Sequence, residues 1–247
     1  MRGLIFLCML CWLGISCGGA ATLTVAVASN LQPAFVDMAE GFRRETGITV
    51  DGVYGSSGKL TAQIIHGAPF HLFLSADDHY PALLHKEKHT LQPPGTYAFG
   101  RLVVWSMTLQ DLTDWPKLLA SPEVHHVALA NPDTAPYGKQ AMKVLAKLGL
   151  MDQVQGKLVF GESVAQTNQF IRSGAAQVGL TSRSVVGQNP GGSWQPVEDG
   201  LYDPIRQDAV LLVHARTHNM AEAKRFYDYL FSMQSRALLH QHGYQLP

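Results

Sequence analysis

The sequence predicts an α/β protein of two lobes, each a mostly parallel sheet flanked by helices, with a ligand cleft between them. Three observations lead there. Short β-branched or apolar runs alternate with segments whose apolar residues recur at steps of three and four. Short loops join these units, which is the pattern of parallel strands with right-handed helical crossovers. The units fall into two blocks, at about 22–100 and 101–207. Facing α/β lobes place a cleft at the carboxyl ends of their strands. The chain has 247 residues, 46% of them hydrophobic, enough for a core in each of two lobes of roughly 100 residues.

The first stretch reads as a leader. Arg2 precedes an apolar run over 4–15, and small residues follow to Ala21. This is the layout of a cleaved secretory signal peptide over 1–21. The run is short for a spanning helix, which needs about 20 apolar residues. A lipid anchor at Cys17 is the alternative, and Gly14 fits the motif for it poorly. The three cysteines, Cys8, Cys11 and Cys17, lie in this leader. The mature chain is therefore expected outside the cytoplasm with no disulfide and no thiolate metal site. It would carry 18 basic against 19 acidic residues, since the leader contains only Arg2. With no basic stripe, nucleic acid is not an expected partner.

After the leader, 22–28 reads as a buried strand. Ser29-Asn30 stands at a helix start, with Pro33 in the first turn. Leu31, Phe35, Met38 and Phe42 mark one helix face, and Gly47 ends it. A strand over 48–53 leads into Tyr54-Gly55-Ser56-Ser57-Gly58-Lys59 and a helix stopping near Gly67. A strand over 71–75 and a helix over 77–86 follow. Pro93-Pro94-Gly95 breaks the chain before one apolar strand, 97–106.

The pattern then restarts. A helix covers 113–120 and a strand 127–130. Asn131-Pro132-Asp133-Thr134-Ala135-Pro136-Tyr137-Gly138 opens a helix that Gly149 closes. A strand over 158–160 precedes a helix capped by Ser163, and 178–181 is another strand. The segment 188–193 is turn-rich, 209–214 is an apolar strand, and one helix carrying Ala223, Phe226, Leu230 and Leu238 ends the chain. The last strand and helix are assigned to the first block, because its opening helix needs a partner. Lobe I is then 22–101 with 208–247, and lobe II is 102–207.

Four junctions share a character: Ser29-Asn30, Ser56-Ser57-Gly58, Pro136-Tyr137-Gly138 and Ser163-Val164. Ser and Asn are common N-caps, so any one of them is explained by capping alone. Together they offer backbone N–H groups, hydroxyls and positive helix ends without a charged side chain. Neutral donors of this kind suit a fully ionised tetrahedral oxyanion, which has acceptors only.

Other chemistries fit less well. A nucleotide P-loop at Gly58-Lys59 needs a glycine where Val53 stands and a Ser or Thr where Leu60 stands. A nucleophile elbow fails because Tyr54 lies two before Ser56 and Lys59 two after Ser57. Among eleven histidines, the pairs His85/His89, His214/His218 and His240/His242 lack acidic or cysteine partners at metal-binding spacing. No enzyme activity, cofactor or metal cation is expected.

Several segments together resemble the molybdate-binding proteins of ABC importers. They are Ala28-Ser29-Asn30-Leu31, Tyr54 to Leu60, Gly67-Ala68-Pro69, Leu72-Phe73-Leu74-Ser75-Ala76-Asp77, Ala130 to Gly138 and Phe226-Tyr227-Asp228-Tyr229-Leu230. The blocks fall in the family's order over nearly the whole mature chain. The resemblance implies a type II periplasmic binding protein, monomeric, that captures molybdate or tungstate and delivers it to a membrane permease; the alternatives are a binding protein for another tetrahedral oxyanion such as sulfate, or an enzyme reusing the fold. It also implies ligand contacts from Ser29, Asn30 (through N–H), Ser57, Tyr137 and Val164 (through N–H). Ser182 matches a position where some members place a tyrosine hydroxyl. The chain departs from the family at His71, where Asp is usual, and at Ser182-Arg183. Arg183 would either add charge near the cleft or point to solvent.

Overall fold

The computed structural model describes residues 21–187 and 191–247. The leader features at Arg2, Cys8, Cys11, Gly14 and Cys17 lie outside the described residues. Strand β1 (Thr22–Ala28) passes through a 3-10 turn, Ser29–Leu31, into helix α1 (Gln32–Thr46). The predicted stripe of α1 is buried, and Gly47 ends the helix at φ 75°, donating its N–H to the Arg43 carbonyl. Then come β2 (Thr49–Gly55), α2 (Ser57–Ile65), β3 (Leu72–Leu74), α3 (His79–Lys86) and β4 (Gly95–Gly100). The second series runs β5 (Leu102–Ser106), α4 (Trp115–Ala120), β6 (Val127–Ala130), α5 (Pro136–Lys147), α6 (Met151–Val154), β7 (Leu158–Gly161), α7 (Val164–Arg172), β8 (Val178–Ser182), α8 (Arg183–Val186) and β9 (Ser193–Pro196). The chain closes with β10 (Ile205–Leu211), α9 (Met220–Tyr229) and α10 (Met233–Gln241).

Two five-stranded sheets result, ordered β2-β1-β3-β10-β4 and β7-β6-β8-β5-β9. Strands β1, β2 and β3 pair in parallel, as do β6, β7 and β8. The fourth strand of each sheet, β10 or β5, runs antiparallel to both its neighbours. The sheets are therefore mixed, with one reversed strand apiece. Each reversed strand is the first to follow a passage of the chain from the other sheet. Helix α9 covers α1 through Phe226, whose ring meets Phe35 edge-on at 6.0 Å and Phe42 at 5.1 Å.

The structure corrects several expected elements. The single strand over 97–106 is two strands, β4 and β5, one in each sheet, parted at Arg101. The strand expected over 209–214 begins at Ile205 and ends at Leu211, because its polar first half pairs with β4. The C-terminal helix is two helices, since Ser232 accepts the Ser235 N–H and caps α10. Strand β9 and the short helices α6 and α8 have no counterpart in the predicted pattern. Among the described residues, no helix is long and apolar enough to cross a membrane.

Candidate functional site

The carboxyl ends of β1, β2, β3, β6, β7 and β8 point at one another across the two sheets, and the predicted residues sit on the turns that leave them. Ser29 and Asn30 follow β1, Ser57 follows β2, Tyr137 follows β6 by way of a turn, Val164 follows β7 and Ser182 ends β8. None of the six is more than 4% exposed. Contacts between the two sides enclose them. The Ala165 N–H donates to Ser29 Oγ (3.4 Å), the Gly58 N–H to the Thr134 carbonyl (2.9 Å), and Ser184 Oγ to the Asn30 carbonyl (2.8 Å).

Local chemistry shapes each turn. Ser56 caps α2 by accepting the Lys59 N–H, and Ser163 caps α7 by accepting the Gln166 N–H. In the loop before α5, Asn131 Oδ1 accepts the Asp133 N–H, and the Asn131 carbonyl accepts the Ala135 N–H. Pro136 then opens the helix where a missing N–H is harmless. Gly138 must lack a side chain, because a Cβ would lie 2.0 Å from the Ala130 carbonyl oxygen.

The first turn of a helix has N–H groups without intrahelical acceptors, and here nearly all have other partners. In α2, Gly58 donates to Thr134, Lys59 to Ser56 Oγ and Leu60 to the Ser56 carbonyl. In α7, Ala165 donates to Ser29 Oγ, Gln166 to Ser163 Oγ and Thr167 to the Ser163 carbonyl. In these two helices this leaves, among the described residues, the N–H of Ser57 and that of Val164, one on each side.

The hydroxyls follow the same logic. Ser57 Oγ accepts the Ala76 N–H (3.0 Å), Ser29 Oγ accepts the Ala165 N–H, and the Tyr137 hydroxyl accepts Gln207 Nε2–H (3.3 Å). A backbone or amide N–H can only donate, so each hydroxyl keeps its own proton to give. Burial, the largest influence, together with the neighbouring Tyr244, holds the Tyr137 phenol well above its ordinary range, so it stays a neutral donor. Ser182 lies beside that phenol and hydrogen-bonds Ser184 Oγ at 2.7 Å.

Charged groups near the cluster are engaged elsewhere. Asp77 Oδ1 accepts from Ser75 Oγ and from the Tyr80 N–H, and Asp208 pairs with Arg206. Burial nonetheless pushes the Asp77 carboxyl up. Lys59 and Glu162 form an exposed ion pair at the rim (2.9 Å). Arg183 stacks over Trp194 at 4.5 Å and donates to the Gly187 carbonyl, away from the cluster. His71 lies at the opposite end of β3, where its Nδ1 accepts the Thr24 N–H (3.0 Å), so it supports the sheet. Among the described residues, no group of three or more His, Cys, Asp and Glu is arranged to hold a metal ion.

Sequence reasoning missed Gln207, Tyr244, Tyr97 and Ser184, which form a buried polar layer behind the cluster. Gln207 Oε1 accepts from Asn30 Nδ2 (2.9 Å) and lies 3.3 Å from the Tyr97 hydroxyl, which donates to the Ser75 carbonyl (3.1 Å). The Tyr244 hydroxyl accepts from Asn30 Nδ2 (2.8 Å) and donates to the Asn30 carbonyl (3.0 Å). Asn30 Oδ1 is buried without a partner among the described residues. The β4–β10 register shifts between Gln207 and Asp208, where Tyr97 is the extra residue on β4. A polar triplet ahead of an apolar run carried no local sign of this role.

A family model for bacterial extracellular solute-binding proteins matches residues 23–245. The molybdate-binding protein ModA of Azotobacter vinelandii is 41% identical over 92% of this chain and 91% of its own length. The molybdate-binding protein ModA of Rhodobacter capsulatus is 38% identical over 91% of this chain and 88% of its own. The solved structure of the Azotobacter vinelandii periplasmic molybdate-binding protein superposes with a TM-score of 0.84 at 33% identity, covering 91% of this chain and 99% of that one.

Proposed function

The chain belongs to the bacterial extracellular solute-binding proteins, and from that premise we propose that it captures molybdate, and also tungstate, in the cleft between its lobes. It then delivers the anion to the membrane permease of an ABC importer. The protein works in the periplasm as a monomer after loss of the leader 1–21, and does no chemistry on its ligand. The likeness to proteins named as molybdate-binding supports this reading. In it, Ser29, Ser57 and Tyr137 donate O–H groups, Asn30, Ser57 and Val164 donate N–H groups, and Ser182 lies within reach.

One observation carries the proposal. The hydroxyls of Ser29, Ser57 and Tyr137 each already accept an N–H, so each keeps its own proton to donate. A doubly ionised tetrahedral anion needs donors and no acceptor. Hydrogen phosphate brings a proton that the N–H groups of Asn30, Ser57 and Val164 cannot take. The bodies that close on the anion are 22–101 with 208–247, and 102–207, moving as a hinge.

Calorimetric titration with molybdate, tungstate, sulfate and phosphate tests the reading. Molybdate and tungstate should give saturable heat at low micromolar protein, with sulfate and phosphate silent. Sulfate is an acceptor-only dianion smaller than molybdate, so sulfate binding as tight as molybdate would sink the proposal that the cleft selects between them.

A further inference from the structure

We propose that Gln207 is a positioning residue that sets the donor polarity of the site by fixing which way the Tyr137 hydroxyl proton points. This rests on the oxyanion-binding reading given above. The amide orientation of Gln207 follows from its neighbours. The Tyr244 hydroxyl gives its proton to the Asn30 carbonyl, so it accepts from Asn30 Nδ2; that same Nδ2 donates to one Gln207 atom at 2.9 Å, so that atom is the oxygen, while the Tyr97 hydroxyl gives its proton to the Ser75 carbonyl at 3.1 Å. Its nitrogen is then the atom at 3.3 Å from the Tyr137 hydroxyl, and it can only donate there. The phenol proton is turned away from Gln207 and toward the cleft side, where Ser182 and the ligand donors lie.

The surroundings hold this arrangement. Asn30 Nδ2 donates both to Gln207 and to Tyr244, which in turn donates to the Asn30 carbonyl. Ser184 donates to that same carbonyl. Its oxygen therefore takes the Ser182 proton, so Ser182 does not donate to Gln207 or Tyr137. Gly100 makes the contact possible, since a Cβ there would fall 2.0 Å from the Tyr137 hydroxyl oxygen and 2.6 Å from Gln207 Nε2. Gln207 is wholly buried, so water does not randomise these bonds. The titratable groups facing it are phenols: Tyr97 on β4, Tyr137 on α5 and Tyr244 in the C-terminal segment. Burial raises all three above their ordinary range. The adjacent carboxylate, Asp208, is paired with Arg206.

Specificity for a fully ionised anion then depends on a residue that need not touch it. Replacing the amide nitrogen by oxygen reverses the polarity. In Gln207→Glu the carboxylate accepts from Tyr137, pulls its proton away from the ligand and adds a negative charge.

The experiment is a titration series with molybdate on the wild-type chain, Gln207→Glu, Gln207→Leu, Tyr137→Phe and the Gln207→Leu/Tyr137→Phe double variant. Thermal melts establish that each is folded at the titration temperature. Wild-type affinity should be flat between pH 6 and 8.5. Gln207→Glu should bind at least about a hundredfold more weakly at pH 8 and recover as pH falls and the carboxyl gains a proton. Gln207→Leu should lose about tenfold alone but less than about twofold in the Tyr137→Phe background, because it acts through that hydroxyl. An equal loss in both backgrounds, or a Gln207→Glu profile that matches the wild type, overturns the inference. If Gln207→Glu fails to fold, the double-variant cycle decides alone. If a leucine variant fails to fold, the pH profile of Gln207→Glu decides. Absence of wild-type molybdate binding would instead sink the functional reading itself.

Discussion

At the scale of single residues, Ser57 concentrates two donors at one position, a hydroxyl and an unpaired first-turn N–H. Ser57→Ala removes the first and leaves the second. Molybdate affinity measured by calorimetry should fall by about 1–3 kcal/mol, the range for a hydrogen bond to a charged partner. The melting temperature without ligand should also drop slightly, because the Ala76 N–H loses its acceptor. Unchanged affinity would take the hydroxyl out of the proposed site. The junction residues were legible in sequence because each sits where a strand pattern gives way to a helix, and small hydroxyls stand out there. Gln207 and Tyr244 were not. Their role is set by side chains far off in the chain, Asn30 above all, and no local periodicity records a contact of that kind.

At the scale of elements, α7 does two tasks with one serine. Ser163 caps the helix by accepting the Gln166 N–H, and its carbonyl accepts both the Thr167 N–H and the Thr167 hydroxyl. That fixes where the Val164 N–H points. Ser163→Ala should lower stability by about 1 kcal/mol in denaturant titrations and should weaken molybdate binding as well. A stability loss with affinity intact would separate the cap from the site. Element boundaries were read best where apolar periodicity and glycine punctuation agree, as at Gly47 after α1. They failed where the local pattern runs on through a change of partner. Residues 97–106 are apolar but for Arg101 and Ser106, and the chain switches sheets at Arg101. Helical spacing continues past Leu230, yet Ser232 starts a new helix. Strand β9 is a short edge strand, Ser-Trp-Gln-Pro, held by pairing with β5 alone, and such strands carry little sequence signal.

At the scale of the molecule, the two sides meet backbone to backbone where Gly58 donates its N–H to the Thr134 carbonyl. A Cβ on Gly58 would come within 3.1 Å of both the Cα and the carbonyl oxygen of Thr134. Gly58→Val should therefore hold the lobes apart. Molybdate affinity should drop by about tenfold or more, consistent with losing inter-lobe contacts of about 1–2 kcal/mol, while the ligand-free melt changes little. Affinity equal to wild type would show that closure tolerates bulk at this seam. The Lys59–Glu162 pair beside it is exposed on both partners and contributes little to closure, as exposed ion pairs generally do.

The reversed strand in each sheet has a consequence for the order in which the protein can assemble. Everything in the second sheet, β5 to β9, is one contiguous stretch, complete before the chain returns to the first. The first sheet is not. Leu74 on β3 waits for Ala209, and β4 finds its partner only in β10. A polypeptide emerging from its amino end can finish lobe II early but must keep the edge of β3 bare until the last segment arrives. Long-range pairing of this sort is slow and exposes unpaired strand edges on the way. The cleft therefore comes into existence last, with the final strand that also brings Gln207 to it.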